Sequence, residues 1–180
     1  ALEKGVVTSV STMMPCPWVP GWLDYLKKNP EVDNGLHLTL TSEWDHYRWG
    51  PVAGKPTVPT LVDQQGYLWD SVGLVNQHAT ADHVETEIRA QIDKALGMGM
   101  EVTHIDSHMG TLCSNMDYFE RYVKVGIEYD LPILITGPNG YLSNKYEGGL
   151  AKMLTSTGLH EKVWAAGLPV LDDATGVSYD

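Results

Sequence analysis

The stretch "GLHLTLTS", residues 35–42, decides how the chain is read, because its alternation is strict. Leu36, Leu38 and Leu40 fall on one side of an extended backbone and His37, Thr39 and Thr41 on the other, since successive strand side chains point to opposite faces. The leucine face belongs against a core, and the opposite face carries a single imidazole. Upstream, "GVVTSVSTMM" (5–14) is rich in β-branched residues and bounded by Gly5 and the Pro15/Pro17 pair, which predicts an earlier strand. Between the two, "GWLDYLKKN" (21–29) sets Trp22, Leu23 and Leu26 on one side and stops at Asn29-Pro30, as a short helix does.

Downstream, residues 43–80 hold Gly, Pro, Asp, Gln and three tryptophans without a sustained period, which predicts a long loop of the functional kind. Asp82 and Glu85 have capping-box spacing, and Val84, Ile88, Ile92, Ala95 and Leu96 form a helical stripe that ends at Gly97/Gly99. "EVTHIDS" (101–107) predicts a strand, 116–127 a helix carrying Tyr118, Phe119, Tyr122 and Val123, and "LPILIT" (131–136) another buried strand, with a loop over 137–148. Strand and helix alternate. That order predicts an α/β fold around a mostly parallel sheet or barrel, as one domain over residues 1–180.

The 12 basic and 23 acidic residues give a formal charge of -11, a field that repels phosphate backbones and anionic lipid surfaces. Nucleic acid is therefore not an expected partner. No apolar run reaches the roughly 20 residues of a membrane-spanning helix. Two cysteines, Cys16 and Cys113, in unlike settings read as free thiols. "ALEKG" reads as the last turn of a helix closed by Gly5, so the beginning of that helix is expected upstream of Ala1. The compartment stays open between cytoplasmic and periplasmic or secreted, and a homo-oligomer is left open.

Chemistry concentrates in "THIDSHMG" (103–110). On a strand His104, Asp106 and His108 project to one face, and Gly110 places His108 where strand gives way to loop. Imidazole nitrogens bind borderline divalent ions, and a carboxylate either joins the shell or holds an imidazole in one tautomer. The same spacing also suits a hydrogen-bonded polar strand end. His37 delivers a second imidazole from another strand, and two histidines with one carboxylate form a common open metal set. His46, His78, His83 and His160 read as solvated. The loop "SEWDHYRWGPV" (42–52) offers Trp44, Arg48 and Trp49 either as a sugar-binding lining or as a cap on the core. Glu43 and Asp45 are the only motive for a paired-carboxylate glycoside hydrolase.

Taken in order, "KGVVTSVSTMM", "GLHLTLTSEW", "PTLVDQQGYLW", "AQIDKAL" and "THIDSHMG" resemble the YdjC-like carbohydrate deacetylases, most clearly over residues 3–137. The resemblance implies an irregular (β/α)-barrel-like fold, incomplete in this chain, and a divalent metal ion, zinc or magnesium. It implies hydrolytic removal of acetyl groups from N-acetylated sugars, with a small carbohydrate as the partner. Carried over by motif, the metal ligands are His37 and His108; the third, an aspartate of an A-D-D-x-G motif, is expected upstream of Ala1. A further histidine motif of the family's C-terminal segment is also expected outside the chain. His104 and Asp106 match the motif as groups that orient His108 or face substrate, and Asp106 is the only local candidate for a base. Where many members continue into a histidine-rich run, Met109, Gly110, Thr111 and Leu112 stand here, a departure that bears on substrate. The rival expectation is a metal- or carbohydrate-binding module of the same fold without turnover.

Overall fold

The structure is a computed structural model, and it describes residues 2–135 and 157–172. Three strands run parallel in the order β1 (Ser9–Thr12), β2 (Asp33–Leu38), β3 (Ile105–Ser107). Ser11 pairs with Gly35, and His37 pairs with Asp106. The connection from β1 to β2 passes through α1 (Val19–Lys28), and that from β2 to β3 through α2 (Val72–His78) and α3 (Ala81–Gly97). Helix α4 (Met116–Glu128) follows β3, and α5 (Leu159–Ala165) lies beyond the predicted 137–148 loop, which falls outside the described residues. The fold is α/β with a small parallel sheet, as the alternation of elements requires.

The leucine face behaves as its period demands. Leu36, Leu38 and Leu40 are fully buried, together with Ile105 of β3 and Ile88, Ile92 and Ala95 from the stripe of α3. Tyr122 of α4 closes the layer; its buried hydroxyl donates to the Ile105 carbonyl at 2.8 Å. Only one face of the sheet is covered in this way, so the other is left to polar groups.

Four element boundaries differ from expectation, each for a local reason. The long 43–80 segment contains a 3-10 turn (Pro59–Leu61), the helix α2 and an antiparallel bridge between Val62 and Leu68. Its order comes from side chains: Glu87 of α3 is fully buried and accepts the Val52 and Ala53 N–H groups at 2.8 and 2.9 Å. No periodicity betrays such an anchor. Helix α3 is capped by Thr80, whose hydroxyl accepts the His83 N–H, and not by the Asp82/Glu85 box. Glu85 is instead held by Arg89, Arg121 and Lys124. Among the described residues of the predicted strand 131–136, which end at Ile135, the pairing is one parallel bridge, Ile105 to Ile133, and the Ile135 N–H turns back to the Ile133 carbonyl. Finally, β3 begins at Ile105 rather than Glu101, although the Leu36 N–H still reaches the His104 carbonyl at 2.9 Å.

Candidate active site

Parallel strands place their carboxyl ends on one edge, where α/β proteins gather their chemistry. His37 lies one residue before the end of β2, and Asp106 sits opposite it in register on β3. Their side chains share the polar face, and His37 Nδ1 meets Asp106 Oδ1 at 2.5 Å. The other carboxylate oxygen, Oδ2, accepts from Ser11 Oγ at 2.9 Å. Both oxygens of Asp106 are therefore engaged, which suits it to orienting His37 better than to accepting a proton from a substrate or water.

His108 follows two positions after Asp106, just past the end of β3. It opens a 3-10 segment (His108–Cys113) interrupted by two left-handed residues, Met109 at φ 54° and Gly110 at φ 65°. For methionine that region is costly and for glycine it is free. The tight reversal leaves Met109 exposed and the His108 ring buried beside His37, with ring centroids 4.9 Å apart and planes nearly perpendicular. The two histidines read as partners from the sequence thus lie side by side, His37 on β2 and His108 just beyond the end of β3.

A carboxylate that sequence reasoning assigned elsewhere completes the group. Glu43 Oε1 and Oε2 lie 3.0 and 3.1 Å from His108 Nε2. The largest influence on its carboxyl, burial, pushes the pKa up, but hydrogen bonds from His108, its own backbone and Thr41 outweigh it and leave the value lowered. Glu43 is ionised at neutral pH. A signal for it was present: it continues the odd-numbered parity of His37, Thr39 and Thr41. Beyond β2 that course is held by Gln91, which accepts the Thr39 N–H at 3.0 Å and donates to its carbonyl at 2.7 Å.

His104 belongs to the same face but not to the pair of histidines. Its Nε2 lies 3.0 Å from Ser11 Oγ, and its ring rests on Gly35, where a Cβ would come within 2.4 Å of that nitrogen. The loop expected to line a sugar site divides. Trp49 is in the core and donates from Nε1 to the Thr41 carbonyl at 2.9 Å, so its ring offers no open face. Arg48 is tied to Asp63 and to the Leu68 carbonyl at 3.1 and 2.8 Å. Trp44 alone of the three is largely exposed, at 59%. Both Trp49 and Arg48 thus serve the packing of the loop, alongside the buried Val58, Leu61, Val62 and Leu68 of the same segment. Asp45 is exposed, while Glu43 is engaged by His108. Of the other histidines, His78 stacks on Trp69 and His83 bonds to Thr60, both distant in role from the His37 group.

The donor set can be judged by its chemistry. His37 has Nδ1 held by Asp106, and no described residue hydrogen-bonds its Nε2, the arrangement in which an imidazole serves a metal. His108 Nε2 faces Glu43. No group of three or more His, Cys, Asp or Glu side chains stands ready to hold a metal ion among the described residues. Two imidazoles and a carboxylate therefore fit two or three positions of a borderline divalent ion only after the Glu43 to His108 contact opens. A cavity of about 620 Å³ lies elsewhere, between α3, α4 and α5 around Asp82, Arg121 and Lys162, and contains none of these groups.

Comparison with known proteins places the chain among carbohydrate-acting relatives. The chain is 28% identical over 134 residues to a carbohydrate deacetylase of Thermoanaerobacter pseudethanolicus, covering 74% of this chain and 51% of that protein. It is 34% identical over 125 residues to a carbohydrate deacetylase of Thermus thermophilus, covering 69% and 43% respectively. The chain thus spans about half the length of these curated relatives. A crystal structure of an Enterococcus faecalis V583 protein, named for cellobiose-phosphate cleavage, shares the fold with a TM-score of 0.69 at 19% identity, over 95% of this chain and 88% of that one. The family described as YdjC-like protein matches residues 1–178, and the chain belongs to it.

Proposed function

We propose that the chain carries the histidine half of a metal-dependent deacetylase that removes acetyl groups from N-acetylated sugars. The observation that carries this reading is the His37 and His108 pair, with rings 4.9 Å apart at the carboxyl ends of parallel strands, each backed by a carboxylate. The names of the curated relatives support the substrate class. The (β/α)-barrel-like closure and the single domain over residues 1–180 belong to the same proposal, supported by the family match and the parallel sheet.

His37 and His108 would hold the ion. Imidazole donors favour a zinc-like ion over magnesium, which prefers oxygen. When bound, such an ion lowers the pKa of a water and polarises an acyl carbonyl. Asp106 fixes the orientation of His37 from behind. Glu43, whose two oxygens are engaged by His108 Nε2 and the Thr41 hydroxyl, becomes able to accept a proton once its contact with His108 opens to a metal ion, and in that state it would take the role of base expected of Asp106. Trp44, exposed beside this group in sequence, is the remaining aromatic of the loop that can stack on a sugar ring.

The decisive experiment measures bound zinc and acetate release from N-acetylated oligosaccharides for the full gene product and for His37→Ala and His108→Ala. Loss of both metal and acetate release in each variant is expected. Acetate release that survives both substitutions would overturn the hydrolase reading, and metal or sugar binding without any release from the unaltered protein would establish a binding module.

A further inference from the structure

Hydrogen bonds run sideways across the polar face of the sheet as one chain. Asp106 Oδ1 meets His37 Nδ1 at 2.5 Å, Asp106 Oδ2 accepts from Ser11 Oγ at 2.9 Å, and Ser11 Oγ lies 3.0 Å from His104 Nε2. A hydroxyl has a single hydrogen. Ser11 gives it to Asp106, so at the other end Ser11 accepts, and His104 Nε2 bears the hydrogen. The reverse orientation would set hydroxyl lone pairs against a carboxylate oxygen at 2.9 Å. An ionised carboxylate only accepts, so His37 Nδ1 also bears a hydrogen, and the lone pair of His37 is left on Nε2.

The packing is built around this chain of bonds. Ser11 pairs in register with Gly35, and the His104 ring occupies the space that a side chain at position 35 would fill. The ring is thereby held against the one strand neighbour that leaves room for it. Three strands contribute to the arrangement, Ser11 from β1, His37 from β2 and Asp106 from β3, while His104 immediately precedes β3.

We propose that Ser11 and His104 are positioning residues that act through Asp106 to keep His37 in the Nδ1–H tautomer, with its Nε2 lone pair open to an electrophile. That the electrophile is a divalent cation rests on the proposed function; the tautomer itself does not. A carboxylate held at one oxygen only can rotate about its Cβ–Cγ bond. With Ser11 in place both oxygens are fixed, and so is the face that His37 turns away from them.

The test uses the full chain, stripped of metal with a chelator, at one fixed, mildly alkaline pH for every variant. Long-range ¹H–¹⁵N spectra should show His37 as a single Nδ1–H tautomer in the unaltered protein, a mixture in Ser11→Ala, and the single form again in Ser11→Thr, which keeps the hydroxyl. Zinc titration should give an affinity about 10–100-fold weaker for Ser11→Ala, the usual cost of removing a group behind a metal-binding histidine. Circular dichroism confirms that each variant folds. A His37 tautomer unchanged in Ser11→Ala, or not restored in a folded Ser11→Thr, would overturn the proposal. A tautomer that shifts in Ser11→Ala while the unaltered protein binds no zinc upholds the positioning role and removes the metal hydrolase instead.

Discussion

Replacing Gly35 by alanine isolates the packing on which the polar face depends. A Cβ at this position would lie 2.4 Å from His104 Nε2 and 2.5 Å from Cδ2 and Cε1. The backbone at Gly35 is not left-handed, so nothing but space opposes the side chain. Ordinary contact begins at 3.4 Å, and the imidazole must therefore withdraw by about 1 Å, since packed interiors hold no spare room of that size. A withdrawal on that scale breaks or misaligns the 3.0 Å contact with Ser11. Overpacking of this kind costs about 1–3 kcal/mol, and because the His104 ring is half-buried and can swing outward, the lower half of that range is expected. For a chain of this length each kcal/mol lowers Tm by about 2–4 °C. Thermal unfolding of Gly35→Ala should then fall by about 2–8 °C, with the His104 ring resonances displaced. The control is the same substitution in a His104→Ala background, where the obstruction is gone and alanine restricts the unfolded chain more than glycine, so little or no destabilisation is expected. Equal losses with and without the His104 ring would refute the reasoning.

Two further outcomes follow from charge and burial. Burial alone would raise the Glu85 carboxyl, but Lys124, Arg89 and Arg121 bring it down from 4.5 to about 2. Its stabilisation is therefore complete above about pH 4.5 and is lost as pH falls toward 2. The full shift would correspond to about 3 kcal/mol, but Lys124 is half exposed and screened by water, so Glu85→Gln should cost about 1–2 kcal/mol in urea unfolding at pH 7. A difference that does not shrink between pH 5 and the most acidic folded condition would count against this account. Burial pushes the Cys113 thiol up to about 12, which leaves almost no thiolate at neutral pH. Iodoacetamide should label the partly buried Cys113 slowly in the native chain and rapidly in urea; fast native labelling would contradict the raised thiol pKa.

Periodicity made the leucine face, the partner strand and the α3 stripe, save for Leu96 exposed at the helix end, readable from the chain itself, because burial of one face imposes a period of two on strands and 3.6 on helices. The same parity put His37 opposite the core and Asp106 and His108 on a common face, and it would have included Glu43 had the odd-numbered course been followed past Thr41. Short elements escaped this reading. Helix α2 spans two turns and has too few residues to display a period, and the Thr80 cap differs from the Asp82/Glu85 spacing by geometry that only the folded turn reveals. The Trp49 ring and the Arg48 guanidinium suited a sugar lining and a cap on the core equally, because residue type does not say whether a side chain is turned inward.

What the sequence determined by itself is the face on which each polar group stands, since that depends only on backbone periodicity. Which of those groups meet is a matter of strand order and register. Only the parallel pairing of β1 with β2 and β2 with β3 sets Ser11 beside Gly35 and His37 beside Asp106, and only the left-handed turn at Met109 and Gly110 brings His108 to His37 and Glu43. Hydrogen bonds and metal shells need atoms within about 3 Å, and residues distant in the chain reach that distance only through the tertiary fold.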